Sequence, residues 1–131
     1  MSKQNVVKAY FNGLEKGSYE DIIALFAAKA LVHSPLYGQI EAVRFYKELF
    51  ADTQNSKITL MNTFVSTDNP DTAAAHFNYA WAMKDGTAVQ FECIDVFNFV
   101  PNTDKIIALT IIYDTYLVRG DFARVHSNTK S

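Results

Sequence analysis

The chain is 131 residues long with 12 Lys+Arg against 14 Asp+Glu, a formal charge of −2, so one domain of ordinary size accounts for it and the basic balance of a phosphate-backbone binder is missing. Hydrophobic residues make up 49% and aromatics 14%, enough apolar surface to offset chain entropy, which excludes a disordered chain. The single cysteine, Cys93, forbids an internal disulfide and any multi-cysteine metal cluster.

The N-terminal Met-Ser-Lys-Gln-Asn-Val-Val lacks the apolar core of an export signal, and the longest greasy stretch, Ile22 to Val32, is broken by Lys29 and too short to span a bilayer. A cytoplasmic protein with no membrane or nucleic-acid partner is expected. Val6, Val7, Tyr10, Phe11 and Leu14 share one helical face, and Gly17 follows where a left-handed C-cap belongs. Ser18, with Asp21 three residues on, caps a second helix whose apolar face is Ile22, Ile23, Leu25 and Phe26. A short extended segment from Leu31 to Ser34 ends at Pro35, and after Gly38 a third helix runs from about Glu41 to Phe50. Val43, Phe45, Tyr46, Leu49 and Phe50 form its buried face, with Glu41, Arg44, Lys47 and Glu48 mostly wet.

From Lys57 the period changes to two. Lys57–Ser66, Thr72–Lys84, Thr87–Val100 and Lys105–Val118 read as strands, with Asp85-Gly86 as a two-residue hairpin turn. Helices grouped ahead of an antiparallel meander argue an α+β fold with the helices on one face of a curved sheet. The tail, about residues 120–131, is polar and expected to fray.

Strand phase places Ala73, Ala75, Phe77, Tyr79, Trp81 and Met83 on the core or pocket face, and Val89, Phe91, Cys93, Asp95, Phe97 and Phe99 together on the next strand. Ile107, Leu109, Ile111, Tyr113 and Thr115 share a face of the last strand. Asp95 is the odd residue, since a carboxylate in an apolar row must be hydrogen-bonded, neutral or exposed. Desolvation keeps such a group protonated, and a protonated carboxyl donates a hydrogen bond, as a site for an enolate or phenolate oxygen requires. A buried Asp95 that satisfies some hydroxyl, and core roles for Tyr10, Tyr46, Tyr79, Trp81 and Tyr113, stand beside that reading. His33, His76 and His126 are far apart and lack ligand spacing, so no metal is expected. Ser34 has neither nucleophile-elbow glycines nor a spaced base partner.

Taken together, Tyr10-Phe11-Asn12-Gly13-Leu14-Glu15-Lys16-Gly17, Ile22-Ile23-Ala24-Leu25-Phe26-Ala27, Leu31-Val32-His33-Ser34-Pro35 and Ile94-Asp95-Val96-Phe97 resemble the ketosteroid isomerase and SnoaL-like branch of the NTF2-like superfamily, over nearly the whole chain to about Tyr116. The resemblance implies a cone of strongly curved, mainly antiparallel sheet packed on three N-terminal helices, with a hydrophobic pocket at the open end. It puts Tyr10 at the isomerases' oxyanion-hole tyrosine and Asp95 at their protonated aspartic acid. Tyr46 falls at a tyrosine that supports the oxyanion tyrosine, and Phe45 at an aromatic beside the substrate. Leu109, Ile111 and Tyr113 fall on cavity-facing positions, in agreement with strand phase.

The isomerases' general-base aspartate corresponds to Ser34, whose hydroxyl cannot shuttle a carbon-bound proton at neutral pH without an activator. His33 takes that place if the segment slips by one residue. The cyclases' histidine near the last strands has no counterpart, since Thr110, Ile111 and Ile112 occupy that stretch. The expectation is therefore a small hydrophobic carbonyl or phenolic ligand held by Tyr10 and Asp95 among Phe45, Tyr46, Trp81, Phe97, Leu109, Ile111 and Tyr113. No cofactor is needed, and enolisation or isomerisation with His33 as base is the catalytic form. The rivals are a binding module without turnover and a scaffold. The apolar outer sheet face (Ala74, Ala80, Ala82, Ile94, Val96, Ala108, Ile112) suits a homodimer contact, common in this family.

Overall fold

Caps delimit the first helix of the computed structural model, which describes residues 1–116 and 118–129, with Thr129 described in its backbone alone. In α1 (Lys3–Lys16), Ser2 accepts the Asn5 N–H at the start and Gly17, at φ 68°, closes the end in the left-handed conformation. The Ser18 hydroxyl accepts from the Asp21 N–H to open the short α2 (Tyr19–Ile23). The chain then extends as β1 (Phe26–Ser34) and turns back as β2 (Gly38–Glu41) before α3 (Ala42–Asp52). Four strands follow, β3 (Thr53–Val65), β4 (Thr72–Met83), β5 (Ala88–Phe99) and β6 (Ile106–Ile112), and then α4 (Arg119–Thr129).

The six strands form one sheet in the order β2-β1-β6-β5-β4-β3, antiparallel except where β1 runs parallel to β6. Register shifts interrupt β1–β6, β3–β4 and β5–β6, and one of them accompanies Lys29 at φ 61° in β1. Such bulges increase local twist and bend the strand, so the sheet is strongly curved and its concave side wraps α1 and α3. Glu15 of α1 accepts the Ile58 N–H of β3 at 2.9 Å, which ties the helix to the sheet. Alternation in β4 and β5 buries Ala73, Ala75, Phe77, Tyr79, Trp81 and Met83 with Cys93, Asp95, Phe97 and Phe99.

The structure departs from the sequence reading in several places: β1 begins at Phe26, a residue expected in the second helix, and the last strand ends at Ile112 and not near Val118. Ile107 is 36% exposed, not inward, because Asn98 pairs with Ala108 and Phe99 with Ile106, and the extra residue reverses the phase. Val43 is exposed, since the buried stripe of α3 is Ala42, Phe45, Tyr46, Leu49 and Asp52, and Val43 stands one residue off it. The β4–β5 turn has three residues, Lys84, Asp85 and Gly86, closed by the Met83 N–H on Thr87 O at 2.8 Å, with Gly86 at φ 90°. The polar segment read as a tail is helical in α4, with Phe122 and Val125 buried on one face and Val118, just ahead of the helix, buried beside them. Leu117, at the end of the expected last strand, and Lys130 and Ser131 of the expected tail lie outside the described residues. No described helix is long and apolar enough to cross a membrane.

Phe122 rests against Tyr37, Trp81 and His126, with ring centroids at 4.8, 6.2 and 4.9 Å. Phe122→Ala is therefore expected to cost about 3 kcal/mol, the low end for a buried aromatic, while Arg119→Ala changes stability by less than about 0.5 kcal/mol. Urea unfolding midpoints of the two variants check this, and equal midpoints would mean that α4 contributes nothing to the core.

Candidate functional site

Between the helices and the concave sheet lies a cavity of about 40 Å³, room for a few water molecules at about 10–15 Å³ each. Tyr10 and Leu14 of α1, Phe45 and Leu49 of α3, and Ser34, Leu36 and Tyr37 of the β1–β2 turn line it. The sheet contributes Phe77, Tyr79 and Trp81 from β4, Phe91, Cys93 and Asp95 from β5, and Ile111 from β6, with Tyr113 just beyond the end of that strand. Strand alternation delivers every second side chain here, and the small Ala75 directly across from Asp95 leaves the gap open at that level.

Asp95 is 1% exposed, and its Oδ1 has no hydrogen-bond partner among the described residues. Burial pushes its carboxyl well above the ordinary carboxylate range. With no hydrogen bond to Oδ1 among the described residues to offset burial, the charged form is too costly, so the group is a neutral acid with a proton to donate. Buried polar atoms normally find partners, and an unpartnered one on a cavity wall calls for a guest.

Tyr10 is packed edge-on against Phe11 and Phe97, with ring centroids at 5.1 and 5.3 Å. Its hydroxyl lies 2.7 Å from that of Tyr46, and burial first, then neighbouring Tyr46 and Asp95, hold the Tyr10 phenol protonated. Two hydroxyls joined by one hydrogen bond leave one proton over; Tyr10 lines the cavity whereas Tyr46 lies behind it. When Tyr46 donates to Tyr10, the Tyr10 proton is offered to the cavity beside Asp95. The polar groups that β4 brings to the cavity are engaged elsewhere, Tyr79 with the Ser56 hydroxyl at 2.9 Å and the Trp81 indole N–H with Thr53 Oγ1 at 2.8 Å.

Of the residues singled out in the sequence, Tyr10, Asp95, Ser34, Phe45, Trp81, Ile111 and Tyr113 meet at this cavity. Tyr46, Phe97 and Leu109 are fully buried and support it from behind. His33 does not reach it, because the alternation of β1 turns Ala30, Val32 and Ser34 inward and leaves His33 on the opposite face, paired with Gln39 and Thr110. Register is held there by the turn, in which Ser34 Oγ accepts the N–H groups of Leu36 and Tyr37 at 3.2 and 3.1 Å.

Sequence reasoning missed Tyr37, Asp52 and His126. The Tyr37 hydroxyl donates to Asp52 Oδ2 at 2.6 Å, and His126 Nδ1 lies 2.7 Å from the same oxygen. His126 Nε2 is 3.7 Å from Glu48 Oε1, and Arg44 Nε donates to Glu48 at 2.5 Å. Arg44, Glu48 and Asp52 recur every four residues along one side of α3, which is the signal the sequence carried.

The model of the SnoaL-like domain matches residues 7–109 of the chain. No curated protein sequence is significantly similar to it. An NTF2-like protein of unknown function from Burkholderia pseudomallei superposes with a TM-score of 0.76 at 12% identity, covering 97% of this chain and 99% of its own. An LEH-like epoxide hydrolase from M. tuberculosis gives a TM-score of 0.71 at 16% identity, with 98% and 96% covered. A protein with a ketosteroid isomerase-like fold from Catenulispora acidiphila, in complex with trimethylamine, gives 0.71 at 14% identity, with 83% and 85% covered. At these identities the likeness is one of fold.

The raised pKa of Asp95 has a thermodynamic sign. A carboxyl that titrates higher in the folded state contributes its full stability below the unfolded value of about 3.9 and loses it as pH rises toward the folded value. The stability of Asp95→Asn relative to wild type should therefore grow in favour of the variant as pH is raised from about 4, measured by urea unfolding over a pH series. A pH-independent difference would show that the carboxyl is not held neutral.

Proposed function

Because the chain belongs to the SnoaL-like domain family, we propose that it binds a compact carbonyl or phenolic compound whose oxygen accepts hydrogen bonds from Asp95 and Tyr10. The observation that carries this reading is the buried carboxyl with an unpartnered oxygen in an apolar, aromatic cavity. A neutral acid and a tyrosine there stabilise an oxyanion more than they would in water, because the surroundings are of low dielectric. The narrowness of the cavity favours a single-ring ligand, admitted by rotamer changes among the lining aromatics.

An enolate oxygen would meet the same donors, so isomerisation through an enolate is the catalytic form of this reading. It needs a base beside the ligand's carbon. Ser34 spends its oxygen on two backbone N–H groups, and His33 points away. Binding without proton abstraction is the reading this arrangement favours, and solvent deuterium should not enter an α-carbon of a bound ketone. Incorporation that disappears in His33→Ala would overturn it.

Ionised phenols of rising acidity, followed by their absorbance in the bound form, test the oxyanion site. Asp95→Ala is expected to weaken binding by roughly 1.5–3 kcal/mol, the value of a hydrogen bond to a charged group; unchanged affinity would sink the reading.

A second reading, pairing of two copies through the outer sheet face, is favoured by Phe64 and Ile112, which are 50% and 52% exposed on the flank of Ala74, Ile94 and Val96. Sedimentation of wild type as a dimer and of Ile112→Glu as a monomer is the expected outcome; a monomeric wild type at micromolar concentration would reject it.

A further inference from the structure

We infer that Tyr37 is a ligand-selecting hydrogen-bond acceptor on the cavity wall, so that the compound bound there carries a donor, a hydroxyl or N–H, apart from the oxygen held by Asp95. The inference rests on the proposed oxyanion reading of Asp95 and adds a second point of recognition to it.

Tyr37 differs from the other lining hydroxyls in the fate of its proton. It lines the cavity, and its O–H is committed to Asp52 Oδ2 at 2.6 Å. Asp52 is 1% exposed, and its carboxylate is fixed further by His126 at 2.7 Å. A buried carboxylate is a far stronger acceptor than a neutral ligand atom, so no ligand competes for the Tyr37 proton. Any group reaching that oxygen from the cavity meets lone pairs, made more basic by the hydrogen bond the hydroxyl already donates.

The ring cannot swing away to present another face. Phe45, Phe122 and His126 hold it edge-on with centroids at 5.1, 4.8 and 5.2 Å. Ser34, its neighbour on the wall, is the opposite case: its oxygen already accepts two backbone N–H groups, leaving its own hydrogen to donate. The wall therefore offers donors at Asp95, Tyr10 and Ser34 and a fixed acceptor at Tyr37. An acceptor-only group against Tyr37 places lone pair against lone pair in a site poor in water, a penalty larger than the loss of one hydrogen bond. The substrate class this selects is a small hydroxylated or amino-bearing phenol or ketone, not a bare hydrocarbon ketone.

The test uses three phenols of nearly equal size, para-ethylphenol, para-hydroxymethylphenol and para-methoxyphenol, whose second substituent is apolar, a donor, or an acceptor only. Wild-type protein is expected to bind the hydroxymethyl compound about tenfold more tightly than the methoxy compound, and Tyr37→Phe to bring that ratio close to one. No preference in wild type, or a preference that persists in Tyr37→Phe, would overturn the inference, and the wild-type ratio decides it even where the variant fails to fold. Binding of para-ethylphenol without discrimination would remove this inference and leave the oxyanion reading standing. Failure of all three to bind would remove both.

Discussion

A carboxyl group placed among aromatic side chains, with one oxygen unanswered, constrains everything around it. Asp95 sits between Cys93 and Phe97 on one strand and faces Ala75 and Ile111 on the neighbouring strands. Filling the concavity with apolar atoms up to the carboxyl would leave its oxygen permanently desolvated and unpaired, at a cost of roughly 1–3 kcal/mol. The fold instead keeps a narrow void over it, with α1 and α3 spanning the concave face at the distance that Tyr10 and Phe45 set. The cavity and the protonated acid depend on each other, since a closed apolar wall would strand the carboxyl without a partner.

What the sequence made legible was local. Caps at Gly17 and Ser18, the alternation of β4 and β5, and the anomaly of Asp95 each depend on residues close together along the chain, so periodicity exposes them. Phase failed at Ile107, where a single inserted residue is fixed by pairing with β5 and leaves no mark in composition. The choice between His33 and Ser34 turned on where the turn begins, and that is settled by two N–H groups converging on one hydroxyl. The Tyr37–Asp52–His126 cluster was out of reach because its members are separated by 15 and 74 residues. The polar character of residues 119–129 concealed a helix that docks through a few apolar side chains and through Arg124 and His126.

The two polar poles of the cavity are built on different principles. Asp95 belongs to the sheet and draws its properties from the lack of neighbours, whereas Tyr37 belongs to a turn and draws its own from a chain of partners running through Asp52 and His126 to Glu48 and Arg44 at the surface. The first pole is set once the strands pair. The second requires α3, the β1–β2 turn and α4 to be assembled together, so it forms only with the completed tertiary structure.

Arg124 of α4 grips the β4–β5 turn, with Nη2 at 2.9 Å from both Asp85 Oδ2 and Thr87 Oγ1. The helix is thereby fastened on one side to the hairpin that carries Trp81 and on the other to Asp52 at the foot of α3, across the rear of the Tyr37 ring. Tyr37 and Trp81 are thus backed by a helix held at both sides. Salt weakens the exposed Arg124–Asp85 pair but leaves the buried contacts of Phe122 and Val125 in place, so ionic strength acts on one fastening of the helix and not on its apolar seat.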